Sequence, residues 1–210
     1  MITNKEIANI SWETLKPHLG IAVVATLIIM AVTGLSQFIG FGIITLLITG
    51  PLGYGSVLFF KNLAQGKQPD VNDLFEGFRG GKLVNLILLG VLSSLIIGFG
   101  FILLIVPGII AALALSQIYF IMIDSPDLSA VDAMKASRDM MEDNKTNLFM
   151  LWVRFIPWVF LCILTLFLGF FILSPWMQTS FANFYLELVG DESSPIPAVK
   201  DTDFLDKDIV

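Results

Sequence analysis

Arg154 is the one charged residue in an apolar stretch, 147–186, that is long enough to cross a bilayer. An ionisable side chain inside a membrane marks a functional position by default. Arg154 stands near one end of its stretch, so its long side chain can snorkel to water. It can equally pair with Asp124 or Asp127, or hold a lipid phosphate. Arg79 and Lys82 precede another apolar stretch and are the other headgroup candidates. A second group is uncharged: Gln117, Gln178, Asn183 and Tyr185 all lie within apolar runs. Such side chains either bond helices together, at about 0.6 kcal/mol per pair, or line a polar pocket.

Residue patterns that would support catalysis do not occur in the sequence. His18 is the single histidine and Cys162 the single cysteine. A metal site needs several His, Cys or carboxylate ligands. There is no Walker-type Gly-rich loop and no Gly-x-Ser-x-Gly elbow. Asp70 with Asp73, and Asp139 with Glu142 and Asp143, read as charged faces of surface helices. The expectation is a protein that is not an enzyme, with no catalytic residues, no metal and no cofactor.

The elements that must position these residues follow from the spacing of charge. Residues 19–60 and 83–123 contain no Asp, Glu, Lys or Arg, and 147–186 carries only Arg154. A helix rises about 1.5 Å per residue and the hydrocarbon is roughly 30 Å thick, so each run is about twice one crossing. The fold class expected is all-α: a polytopic membrane bundle of six transmembrane helices in three hairpins. Of the 210 residues, 56% are hydrophobic and 14% charged. A soluble domain carries about 25% charged residues, so a water-facing fold is excluded. The domain reading is a cytoplasmic N-terminal segment over 1–18, a membrane domain over 19–189 and an acidic tail over 190–210. No secretory signal precedes the first run, which is expected to stay as an anchor.

Lys and Arg cluster at Lys5 and Lys16, at Lys61, Lys67, Arg79 and Lys82, at Lys135, Arg138 and Lys145, and at Lys200 and Lys207. With six crossings these four segments share one side, and the opposite connections carry no charge. Short loops rich in Lys and Arg stay cytoplasmic, so both termini are expected in the cytoplasm. The net charge of −6 gives no reason to expect a nucleic-acid partner.

The cytoplasmic loops carry structure of their own. Val71, Leu74, Phe75 and Phe78 recur at helical spacing after a cap at Asp70 or Asn72, and Gly80-Gly81 ends the segment. Ser129 and Asp132 form a capping-box variant. It opens a helix with Val131, Met134, Ser137, Met140 and Met141 on one face, which Asn144 can stop. Both segments read as short helices lying at the headgroups. Leu74, Phe75, Phe78, Met140 and Met141 in these segments, with Trp12 in the N-terminal segment, are the expected interfacial anchors. Each hairpin also has a Pro in its second helix: Pro51, Pro107 and Pro175. Pro107 and Pro175 suit a helix start. Pro51 reads as a kink after a turn at about 34–42. The tail, rich in Asp with Pro195 and Pro197, is expected to be disordered. Phe204, Leu205, Ile209 and Val210 within it offer a docking motif for a protein partner.

The order of several short patterns resembles a known family. They are Pro51-Leu52 with Gly55, the Leu-Phe-x-Gly-Phe stretch at 74–78, the Pro-Gly-Ile turn at 107–109 and Asp-Ser-Pro at 124–126. Ala130 or Ala133 with Ser137 and Met141 follow, then Pro175, Ala182 and Tyr185. Over about residues 10–190 the chain resembles an uncharacterised family of bacterial six-helix integral membrane proteins. It is also similar to the membrane domain attached to some glycerophosphodiester phosphodiesterases. The resemblance implies a bacterial inner-membrane location and a six-helix bundle. It brings no catalytic residues, because the soluble phosphodiesterase domain has no counterpart here. The function expected is contact with membrane lipids, as an organiser or sensor. The rival is a small transporter whose pocket is built from Gln117, Gln178 and Asn183.

Overall fold

The computed structural model describes residues 3–39, 43–165 and 168–190, and over these it is helical without strands. In chain order the helices are α1 (Asn4–Leu15), α2 (Leu19–Ile39), α3 (Ile43–Ala64), α4 (Leu83–Leu103), α5 (Ile105–Ala114), α6 (Ile118–Asp124), α7 (Ala130–Met140), α8 (Lys145–Leu164) and α9 (Phe170–Val189). Two 3-10 turns, Lys16–His18 and Val71–Phe78, join them. Among the described residues five helical segments are long and apolar enough to cross a membrane: Asn4–Gln37, Ile44–Ala64, Leu83–Leu103, Ile105–Asp124 and Lys145–Leu164. α9 has the length but is less apolar, because Gln178, Thr179, Ser180, Asn183 and Glu187 interrupt it. Large apolar side chains stand exposed along α4 and α8, with Ile102 and Leu164 more than four-fifths exposed. Such faces suit lipid and not water.

The chain divides into two compact units. One gathers Met1–Thr26, Phe60–Pro69 and Thr146–Val210, the other Leu27–Phe59 and Asp70–Lys145. In the first unit α1 packs on α9. α1 opens with a capping box between Thr3 and Glu6 and buries Ile7, Ala8, Ser11 and Leu15 on one face. Trp176 of α9 donates its indole N–H to the Ala8 carbonyl at 2.8 Å, and its ring packs on Trp12 at 5.3 Å. The N-terminal segment, for which the sequence suggested no helix, is therefore mostly a docked amphipathic helix over its described residues.

The second unit is organised by small residues on α3. A Cβ at Gly90 of α4 would lie 2.6 Å from the Gly50 backbone, and one at Gly50 would strike the Leu86 carbonyl. Small residues let membrane helices approach this closely. The 3-10 turn Val71–Phe78 lies on α3 in the same way. A Cβ at Gly55 would strike the backbone of Leu74, and one at Gly77 the backbone of Pro51. Asp70 caps this turn by accepting the Asn72 N–H at 2.9 Å, and Gly80 follows it at φ +78°.

The prolines differ from one another in placement. Pro51 is inside α3, consistent with a kink. Pro107 is in the first turn of α5, where a missing N–H costs little. Pro175 does not begin its helix as expected. It lies more than a turn inside α9, and α8 carries another internal proline, Pro157. The turn expected at about 34–42 does not form over its first part: residues 34–39 continue α2 as helix, and residues 40–42 fall outside the described residues. The acidic tail, 191–210, also lies outside them.

Glycine substitutions separate close packing from intrinsic helix preference. Gly55→Ala is expected to lower the melting temperature in detergent by several degrees, because overpacking costs about 1–3 kcal/mol. Gly98→Ala, with nothing within 4 Å of the new methyl, is expected to be neutral or stabilising, since alanine favours a helix over glycine by about 1 kcal/mol. Equal melting shifts for the two would contradict the packing described.

Candidate functional site

The long apolar run 83–123 does not form two plain helices. α5 stops at Ala114 and α6 starts at Ile118, leaving a break at residues 115–117. A break in hydrocarbon strands backbone groups that must find protein partners. Ser137 of α7 supplies both. Its hydroxyl donates to the Ala114 carbonyl at 2.8 Å and accepts the Gln117 N–H at 3.2 Å. Ser137 is fully enclosed. Gln117, also enclosed, donates from Nε2 to Ser116 Oγ at 3.0 Å, while its Oε1 is buried without a hydrogen-bond partner among the described residues.

Asn85 of α4 fixes the connection between α6 and α7. Its Nδ2 donates to the Leu128 carbonyl at 2.8 Å, and its Oδ1 accepts the Ala130 N–H at 2.9 Å. α7 then begins at Ser129, whose hydroxyl accepts the Asp132 N–H at 3.2 Å. Asn144 closes the other end by donating to the Met140 carbonyl at 3.1 Å. The Ser129 cap and the Asn144 stop expected for α7 are thus both made.

The expected anchors fall into two kinds. Phe75 and Phe78 are exposed, each at 37%. Leu74 is fully enclosed and holds its turn to the protein, because the Gly55 contact leaves no room for lipid around it. Met140 and Met141 are likewise buried, so the face of α7 that bears them is a packing face and not a lipid face. Trp12 is half-buried against Trp176. Of the headgroup candidates, Arg79 is exposed with Glu76 at 3.6 Å. Lys82 stands at the N-cap of α4. Arg154 is half-buried on α8 in the first unit, whereas Asp124 and Asp127 belong to the second.

The polar-pocket candidates are also split. Gln117 belongs to the second unit, and Gln178, Asn183 and Tyr185 to the first. Asn183 donates to Ser11 Oγ at 2.8 Å, joining α9 to α1, and its Oδ1 has no hydrogen-bond partner among the described residues. Gln178 reaches Ser174 at 3.5 Å. Lys61 Nζ lies 5.3 Å from the centre of the Tyr185 ring, a cation–π contact. Lys61 and Glu187 are the two buried charged residues among those described, and they share a unit. Sequence reasoning placed Lys61 in a loop and passed over Glu187. The signal was present: Glu187 follows Asn183 by one helical turn, on the inward face of α9. Among the described residues no group of His, Cys, Asp or Glu could hold a metal ion.

Two clefts accompany these contacts. In the first unit Trp12, Trp158, Trp176, Cys162, Asn9 and Thr165 border one of about 470 Å³. The three tryptophans touch, each outer ring 5.3 Å from Trp176. In the second unit a cleft of about 640 Å³ lies along α4, α5 and α7. None of the four polar-pocket candidates lines either cleft.

These features define a helical protein with, among the described residues, five segments long and apolar enough to cross a membrane. The comparisons agree at that level. A family model described as "Protein of unknown function (DUF975)" matches residues 95–192, the stretch that holds the helix break and Ser137. No curated protein and no solved structure matches the chain.

The caps at the surface make a pH prediction. The Asn72 N–H holds the Asp70 carboxyl below its ordinary value, with help from the Asn72 side chain. The Ser129 hydroxyl does the same for Asp132, with Lys135 adding to it. A depressed folded pKa gives stabilisation that is complete above the unfolded value, near 3.9, and lost as pH falls through the folded value. The amide proton shifts of Asn72 and Asp132, followed by NMR, are expected to titrate below that ordinary value. Midpoints at or above it would contradict the caps.

Proposed function

We propose that the chain is a multi-pass protein of the bacterial cytoplasmic membrane that acts through contact with lipids and catalyses no reaction. In this reading α9 is a sixth crossing, its polar side chains turned to protein, and the six crossings form three hairpins with both termini in the cytoplasm. The charge pattern supports that orientation, since short basic loops are retained inside.

One observation carries the lipid reading. The 3-10 turn Val71–Phe78 is pinned to α3 by Leu74 and Gly77, yet it leaves Phe75 and Phe78 exposed beside Arg79. Lys82 and the exposed apolar face of α4 come directly after it. A rigid platform that offers aromatic rings and basic groups side by side suits the headgroup layer. Attraction to anionic lipid there is worth about 1 kcal/mol per basic residue. A small permease is the second reading. It draws on the broken α5–α6 helix, because broken helices line substrate sites in many transporters.

Lipid that accompanies the protein tests the first reading. Full-length protein is extracted from a mixed phosphatidylglycerol and phosphatidylethanolamine membrane with a polymer that keeps its annulus. Mass spectrometry is expected to find phosphatidylglycerol enriched over the bulk ratio, and Arg79→Gln/Lys82→Gln is expected to reduce the enrichment. An annulus at the bulk ratio in the wild type would overturn the proposal.

A further inference from the structure

We infer that the cleft between α4, α5 and α7 is a binding site for one anionic glycerophospholipid, a deeper claim that rests on the lipid-contact reading above. Two chemically distinct sets of side chains border the cleft, with Val131 and Met134 of α7 adding apolar surface beside the basic one. One arm is apolar, bordered by Leu92 and Ile96 of α4 and by Pro107, Ile110, Ala111 and Ala114 of α5. The charged residues on its border are all basic: Lys135 and Arg138 of α7 and Lys145 at the start of α8.

The helix break orients these two sets. Ser137, next to Arg138, bonds the Ala114 carbonyl. The basic groups therefore sit at the Ala114 end, and Pro107 marks the other. From Pro107 to Ala114 is about 10 Å at 1.5 Å per residue, about two-thirds of one leaflet of a hydrocarbon core roughly 30 Å thick. The volume, about 640 Å³, falls within the roughly 300–1,000 Å³ of small-molecule sites.

Charge complementarity selects the occupant. Lys135 has Asp132 at 3.5 Å. Arg138 and Lys145 are in no ion pair among the described residues. Asp139, Glu142 and Asp143 follow closely in sequence but do not line the cleft. A neutral hydrophobe would leave the basic end unanswered. A free anion would leave the apolar arm unfilled. A lipid with a negatively charged phosphate meets both. Small residues at Ala111 and Ala114 keep the arm open beside α5. In this assignment α7 has two jobs from adjacent positions: Ser137 completes the broken helix, and Arg138 meets the headgroup.

Native mass spectrometry of the full chain in mild detergent tests the site. Dioleoyl phosphatidylglycerol and dioleoyl phosphatidylethanolamine are titrated separately. The wild type is expected to retain one phosphatidylglycerol more tightly than phosphatidylethanolamine. Arg138→Gln/Lys145→Gln, at exposed and half-buried positions, is expected to weaken phosphatidylglycerol retention about tenfold or more. Ala111→Phe, which obstructs the apolar arm, is expected to lower retention of both lipids. Excess glycerol 3-phosphate is expected not to compete. If the charge variant retains phosphatidylglycerol like the wild type, this site is wrong while the lipid-contact reading stands on its own annulus measurement. If glycerol 3-phosphate displaces the lipid at equal concentration, the occupant is a soluble anion and the inference is overturned.

Discussion

A chain that runs through hydrocarbon has no water to satisfy its backbone, so each interruption of a helix must be answered by a protein atom. Among the described residues of the second unit, three interruptions have a named answer. The α4–α5 turn is a single extended residue, Leu104, whose N–H still returns to the Gly100 carbonyl. The break between α5 and α6 is closed by one hydroxyl, that of Ser137, acting as donor and acceptor together. The bend from α6 into α7 is held by one amide, that of Asn85, in the same double role. α7 is consequently part of the membrane fold's hydrogen bonding and not a loosely attached surface helix.

Close backbone approach is the complementary device. Gly50 and Gly90 bring α3 and α4 together, and Gly55 and Gly77 seat the 3-10 turn on α3. The patterns Pro51-Leu52 with Gly55, and 74–78 with Gly77, are thus two halves of one contact. That contact decides which aromatic rings are left outside. Leu74 is consumed by the packing, whereas Phe75 and Phe78 remain available. In the first unit the corresponding work falls to Trp176 and Asn183, which tie α9 to α1 through Ala8 and Ser11.

Much of the helical content was legible because charge is excluded from membrane-length segments and the caps at Asp70, Ser129 and Asn144 have local signatures. What escaped was governed by tertiary partners. α1 went unread within the N-terminal segment, although the Thr3–Glu6 box and the spacing of Ile7, Ala8, Ser11 and Leu15 announce an amphipathic helix. Met140 and Met141 looked like lipid anchors because an apolar face does not say what covers it. The break at residues 115–117 has no Gly or Pro to mark it; it exists because Ser137, twenty residues away, makes it affordable. Gln117 was singled out for its polarity, but the side chain that does the bonding was Ser137, noted only as part of a helical face. The basic cleft residues were visible as loop charges, and only the folded chain brings them to one end of an apolar arm.

The fold of the second unit depends most directly on Ser137 completing the broken helix. Hydrogen–deuterium exchange at the Gln117 amide, compared in detergent between wild type and Ser137→Ala, reads that bond. Protection in the wild type and exchange faster by about tenfold in the variant is the predicted result, since losing a buried partner costs about 1–3 kcal/mol. Equal exchange in the two proteins would contradict it.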